Sequence, residues 1–72
     1  MNYIEFLAFV SIQYEEQGKH KELRYGQMYM NALHNVKPKL AMSLNGSVND
    51  PFFRDNVPPN VHKMVEENWA IG

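Results

Sequence analysis

Residues 2–18 read NYIEFLAFVSIQYEEQG, and this stretch decides the fold class because its pattern is typical of an amphipathic helix. Asn2 is a favourable N-cap, Glu5 stands three residues later as in a capping box, and Gly18 suits the helix end. Large apolar side chains recur at helical spacing and predict one buried face, formed by Tyr3, Phe6, Leu7, Val10 and Tyr14. We therefore expect a first helix that packs this face on a core.

Two further large side chains of this helix, Phe9 and Ile12, fall on the side opposite the predicted core face, because successive residues are about 100° apart. They either contact a partner, or are covered by a bundle that wraps the helix on two sides, or are single exposed residues without a role. In a homodimer they would pair across a two-fold axis and compensate for a small core. The pattern leaves these alternatives open.

Residues 23–36 predict a second helix, which Pro38 stops. Its core face is predicted to consist of Tyr25, Met28, Tyr29, Ala32, Leu33 and Val36. Its opposite face is a polar stripe of Arg24, Gln27, Asn31, His34 and Asn35, which is either solvated or grips a partner. Gly26 costs this helix about 1 kcal/mol relative to Ala, so we expect helix one or the last loop to approach closely there.

The rest of the chain predicts a short third helix, an ordered loop and a fourth helix. Pro38 suits the first turn of the third helix, which Asn45 and Gly46 end in a left-handed conformation. Residues 47–59 form a loop pinned by Phe52 and Phe53, with Asp50 capping a turn at Pro51. Residues 60–68 form the last helix, whose Val61, Met64, Val65 and Trp69 close the core. We expect Ile71 and Gly72 to fray.

The helical patterns predict an all-α fold, a bundle of three main helices plus a short one, and length and composition favour a single domain over residues 1–72. The 72 residues include no cysteine, which excludes disulfides and thiolate ligands. No apolar run approaches the roughly 20 residues that span a bilayer, and the first residues lack the cations of a secretory signal. We therefore expect a cytoplasmic protein without a membrane contact.

Motifs of catalysis and metal binding are absent from the sequence. His20, His34 and His62 lie in three different elements, so we expect no metal site. No serine has the surroundings of a nucleophile, and the four glycines are isolated. We therefore expect a protein that is not an enzyme and has no cofactor. An enzyme or small-ligand sensor would need a pocket near Asp50 and Arg24.

The middle of the chain is basic although the net charge is −1. This segment makes a small nucleic-acid-binding regulator the alternative function. Its positive charges are Lys19, Lys21, Arg24, Lys37 and Lys39.

The following residues occur together in this chain: Phe6 and Leu7, then Arg24-Tyr25-Gly26-Gln27, Asn31, Leu33, Pro38, Leu40, Ala41 and Gly46, then Asp50-Pro51-Phe52-Phe53, Asp55 and Trp69. Their combination resembles a group of short phage and bacterial proteins. Members of that group usually carry Tyr where this chain has Phe53, and fewer prolines where it reads Val57-Pro58-Pro59-Asn60. The resemblance implies an origin rather than an activity.

By this resemblance we expect a small phage-type accessory protein that binds, and so modulates or inhibits, a protein of the host cytoplasm or of the phage. The candidate binding residues are Arg24, Gln27, Asn31, Asp50, Asp55, Phe9 and Ile12. The polar members have a second interpretation. Arg24 or Gln27 would hydrogen-bond the Asp50-Pro51 turn and tie helix two to the loop, as part of the scaffold.

Overall fold

The computed structural model describes residues 1–70 and has four helices with no strand in that range. The helices are α1 (Tyr3–Glu16), α2 (Tyr25–Val36), α3 (Pro38–Leu44) and α4 (Pro59–Glu67). The predicted all-α bundle is therefore confirmed. Ile71 and Gly72, for which the sequence predicts fraying, lie outside the described residues.

Helix α1 begins and ends as the sequence predicts. The Asn2 side chain accepts a hydrogen bond from the Glu5 backbone N–H at 2.8 Å, and the Glu5 carboxylate accepts one from the Asn2 N–H at 2.8 Å. This capping box satisfies two N–H groups that a helix start otherwise leaves unpaired. Gly18 has φ +72°, the left-handed conformation that follows many helix ends.

The start of α2 lies two residues later than predicted, at Tyr25. The reason is a contact with α1's end: the Gln17 carboxamide accepts a hydrogen bond from the Leu23 N–H at 2.9 Å and donates to the Leu23 carbonyl at 3.3 Å. With both backbone groups of Leu23 engaged by a side chain, the helix begins only after Arg24.

The core lies where α1, α2, α3 and α4 meet. Predicted core residues that are buried include Tyr3, Phe6, Val10, Tyr29, Leu33, Val61 and Val65. Met30 is also buried, although the predicted core face omits it. Helix α2 packs against both α1 and α3, so its buried surface is wider than the single stripe that the spacing predicts.

Trp69, just after α4, closes the core as predicted. Its ring lies 5.3 Å from that of Tyr3 and 5.2 Å from that of Phe6, measured between centroids. Its indole N–H donates a hydrogen bond to the Met1 carbonyl at 2.9 Å. This contact connects the segment after α4 with the segment before α1.

The loop between α3 and α4 is ordered by one carboxylate. Asp50 accepts hydrogen bonds from the N–H of Phe52 at 3.0 Å and of Gly46 at 2.8 Å, so the predicted turn cap is confirmed. The prediction that Phe53 also pins the loop is wrong, since its side chain is 81% exposed. Pro51, in the middle of the loop, and Val57, near its end, are buried and anchor it.

Gly26 is the place where this loop meets α2. The Gly26 N–H donates to the Arg54 carbonyl at 3.0 Å, and a Cβ atom at Gly26 would stand 1.8 Å from the Pro51 carbonyl oxygen. The predicted close approach is thus confirmed, and the approaching segment is the loop. Glycine is required because any side chain would displace the loop backbone.

Candidate functional site

The structure separates the sequence-predicted binding residues into two places. Phe9 and Asn31 line a groove between α1 and α2. Arg24, Asp50 and Asp55 lie where α2 meets the loop before α4. The remaining candidates lie outside both: Gln27 is half-buried on α2, and Ile12 is 58% exposed on α1.

The junction of α2 and the loop has the features of a scaffold. Arg24 donates from Nη1 to the Asp55 carboxylate at 3.3 Å. Both carboxylate oxygens of Asp50 instead accept backbone N–H groups of its own loop, those of Gly46 and Phe52. The tie between helix two and the loop is therefore made by Arg24 with Asp55 and by the Gly26 N–H. The Arg24 and Asp55 side chains are largely exposed, so their ion pair adds little stability.

The groove between α1 and α2, called here the α1–α2 groove, has a volume of about 350 Å³. Its lining consists of Met1, Phe9, Gln13, Met28, Asn31, Ala32, Asn35 and Val36. The α2 side has two rows, each with a spacing of one helical turn: an apolar row of Met28, Ala32 and Val36, and an amide row of Asn31 and Asn35. The lining includes neither Arg24 nor Asp50. The groove is therefore not the pocket near Arg24 and Asp50 that an enzyme or a small-ligand sensor would need.

The chemistry of the groove suits an uncharged ligand segment. Its eight lining side chains include no charged group. The apolar row and Phe9 present surface that an aliphatic or aromatic side chain would cover, while a carboxamide both donates and accepts hydrogen bonds. A peptide backbone presents an N–H donor and a C=O acceptor, so it needs a partner that can both accept and donate hydrogen bonds. The groove therefore has the parts needed to hold an apolar side chain together with the backbone that carries it.

A hydrogen-bonded chain of three side chains crosses the core on another side, and the sequence analysis missed it. The Tyr3 hydroxyl lies 2.8 Å from the Tyr29 hydroxyl and 2.6 Å from His62 Nδ1. Both hydroxyl protons are satisfied when Tyr29 donates to Tyr3 and Tyr3 donates to His62. A signal was present, because a tyrosine hydroxyl on a core face requires a partner.

Burial governs the protonation of these three groups. Desolvation raises the pKa of Tyr3 to about 12 and raises the pKa of Tyr29 further. Desolvation also lowers the pKa of His62, against the opposing effect of Glu66. All three are therefore neutral at pH 7, which suits a structural role better than proton transfer at that pH.

The cations of the basic segment are partly engaged within the chain. Lys21 donates to the Tyr14 carbonyl at 3.0 Å, with its ammonium 4.6 Å from the Tyr14 ring centroid. The Lys37 ammonium lies 5.2 Å from the Trp69 ring centroid. Together with Arg24 at Asp55, three of the five cations have intramolecular partners. A nucleic-acid phosphate would compete with these contacts.

Residues 1–70 hold no cluster of three or more His, Asp or Glu side chains placed to bind a metal ion. Within the same range, no helix combines the length and apolar character that crossing a membrane requires.

The chain matches no protein-family model, and no curated protein or solved structure is significantly similar to it. The candidate site therefore rests on its geometry and its side-chain chemistry alone.

Proposed function

We propose that this chain is a small phage-type accessory protein that binds a protein partner, and that the α1–α2 groove is its contact surface. The observation that carries the proposal is the groove itself, in which an apolar row beside Phe9 stands next to the amides Asn31 and Asn35. Such a surface fits a partner segment that presents an apolar side chain. Binding there would modulate or inhibit the partner without any chemical step, and the resemblance to phage proteins points to a host component.

The alternative, a nucleic-acid-binding regulator, has less support from the contacts. The side chains that line the groove carry no positive charge, and Lys21, Arg24 and Lys37 already have partners in the chain. Nucleic-acid binding depends on cations that neutralise phosphates, and its affinity falls steeply as salt rises. Protein binding through an uncharged groove is only weakly sensitive to salt.

The test is site-specific photo-crosslinking in a lysate of the natural host. A photo-reactive residue replaces Asn31 at the groove, and a matched control carries it at Lys63, which is exposed on α4. We expect a host protein to be cross-linked from position 31 only, in nuclease-treated lysate as well as untreated lysate. Loss of the product after nuclease treatment would favour the regulator, and equal products from both positions would contradict a groove-specific contact.

The partner is then purified and its affinity measured by titration. Phe9→Ala and Asn31→Ala are expected to weaken binding by about tenfold each, which corresponds to roughly 1.4 kcal/mol. Arg24→Ala serves as the matched control, since Arg24 lies outside the groove lining. An affinity that depends on Arg24 and not on Phe9 would place the contact at the junction of α2 and the loop instead.

A further inference from the structure

The side of α1 that faces solvent carries a second apolar surface, distinct from the groove. Ile4 is 72% exposed and Ile12 is 58% exposed, and Ala8 between them is exposed as well. These residues, called here the α1 ridge, follow one another at intervals of four along the helix and so form a continuous row. Isoleucine side chains exposed to this extent on one row are costly in water unless something covers them.

The α1 ridge is symmetric about its middle residue. Ile4 and Ile12 each stand four residues from Ala8. When two such helices cross in antiparallel orientation at Ala8, Ile4 of each copy meets Ile12 of the other. The small side chain of Ala8 at the crossing point lets the two helix backbones approach closely. The isoleucine side chains on either side of it can then pack against the other helix. A two-fold axis at Ala8 thus covers both isoleucines of both copies.

We propose that the α1 ridge pairs with the α1 ridge of a second copy of this chain, antiparallel and centred on Ala8. The pairing is a homodimer contact, independent of the groove and of the partner proposed for it. None of the three ridge residues is among those that line the α1–α2 groove, to which α1 contributes Phe9 and Gln13.

The charges of α1 favour this orientation. The charged residues of α1 are Glu5, Glu15 and Glu16, with no basic residue in its last turn. Glu15 and Glu16 stand at the carboxyl end of the helix, where its dipole makes negative charge unfavourable. Antiparallel pairing places them at the opposite end of the pair from their own counterparts, beside the first turn of the other copy's α1, where Glu5 is the single acidic residue. Parallel pairing would place them against their own counterparts.

The same charges make other occupants of the ridge a poor fit. An anionic lipid surface or a nucleic acid attracts basic residues, and the charged side chains of α1 are all acidic. The symmetric spacing about Ala8 is matched without change by a second copy of the same row. Because few side chains take part, the contact is smaller than a standard interface, and we expect a dissociation constant on the order of 100 µM.

Cysteine cross-linking tests the register directly, since the chain has no native cysteine. Three variants are made, Ala8→Cys, Ile4→Cys and Ile12→Cys, and treated with a short bis-maleimide at about 0.5 mM protein. Ala8→Cys is expected to cross-link with itself. Ile4→Cys and Ile12→Cys are expected to cross-link severalfold more when mixed than when either is treated alone. Equal yields alone and mixed would overturn the antiparallel register.

Sedimentation analysis of the cysteine-free protein from about 10 µM to 1 mM tests the dimer itself. We expect a reversible rise from monomer to dimer mass, abolished by Ile12→Glu. Met42→Glu is the matched control, because Met42 on α3 is 69% exposed and lies outside the α1 ridge. A monomer throughout the range overturns the proposal, as does a dimer lost in Met42→Glu but retained in Ile12→Glu. Circular dichroism of each variant checks that the helices remain folded.

Discussion

The hydroxyl groups of Tyr3 and Tyr29 lie 2.8 Å apart inside the core, and the first of them also reaches His62 at 2.6 Å. Tyr3 therefore has two hydrogen-bond partners and Tyr29 has one. Tyr29 is fully buried, so its hydroxyl depends on Tyr3 for that bond.

Removing the central hydroxyl should cost more than removing the terminal one. Tyr3→Phe leaves the Tyr29 hydroxyl buried without a partner and should lower the free energy of unfolding by about 2–3 kcal/mol. Tyr29→Phe leaves Tyr3 bonded to His62 and should cost about 1 kcal/mol. Urea denaturation measures both values.

The double variant Tyr3→Phe/Tyr29→Phe is the control for this interpretation. It removes both hydroxyls, so neither is left unpaired, and it should be no less stable than Tyr3→Phe alone. Strictly additive losses would show that the two hydroxyls act independently.

Stability should depend on pH through His62. Burial lowers the pKa of this imidazole in the folded protein, so the unfolded chain binds the proton more readily. The contribution of neutral His62 is therefore complete above the unfolded pKa of about 6.5 and is lost as pH falls through the lower folded pKa. Protonation also disrupts the hydrogen-bond chain: Nδ1 then donates to Tyr3 and no longer accepts, so one of the two tyrosine hydroxyl protons loses its acceptor.

The comparison with His62→Asn isolates this effect. The titratable groups that face His62 are Tyr3 from α1, Tyr29 from α2 and Glu66 on its own helix α4. Both tyrosines keep their protons near neutral pH, because burial raises the pKa of each above its ordinary value. Thermal unfolding between pH 7 and 5 should show a steeper loss for the native chain than for His62→Asn.

Gly26→Ala should destabilise the protein although alanine is the better helix former. The gain in helix propensity is about 1 kcal/mol, but the new Cβ would stand 1.8 Å from the Pro51 oxygen and 2.7 Å from the Arg54 oxygen. Relieving these contacts requires moving the loop and breaking the Gly26 hydrogen bond to Arg54. We expect a net loss of about 2–3 kcal/mol in the free energy of unfolding.

Gly18→Ala is the matched comparison for that experiment. No atom lies within 4 Å of a Cβ placed at Gly18, so the cost there is only the strain of φ +72°, about 1 kcal/mol. If both substitutions cost the same, close packing at Gly26 is not what requires glycine there.

Local signals account for the parts of the fold that the sequence predicts well. The capping box needs only Asn2 and Glu5, three residues apart, and the end of α3 needs only Gly46. The cost of glycine inside a helix likewise predicts a close approach at Gly26, though not which segment approaches. These features depend on neighbours in the chain and on backbone preferences that each residue carries with it.

The parts that escape prediction depend on residues brought together by the tertiary fold. The bonds from Tyr3 to Tyr29 and to His62 span 26 and 59 residues. The α1–α2 groove requires the relative position of two helices, which periodicity does not provide. The partner of Arg24 is Asp55 rather than the Asp50-Pro51 turn, because both oxygens of Asp50 already accept backbone N–H groups of its own loop.

The groove residue Phe9 should be dispensable for folding, and this separates a contact role from a core role. Phe9 is 42% exposed, whereas its neighbour Val10 is completely buried. Phe9→Ala should therefore cost at most about 1 kcal/mol, and Val10→Ala about 2–3 kcal/mol despite the smaller change in volume. Urea denaturation compares the two variants, with helicity monitored by circular dichroism. A loss for Phe9→Ala as large as that for Val10→Ala would mean that Phe9 serves the core, and that its burial rather than a partner accounts for its presence on α1.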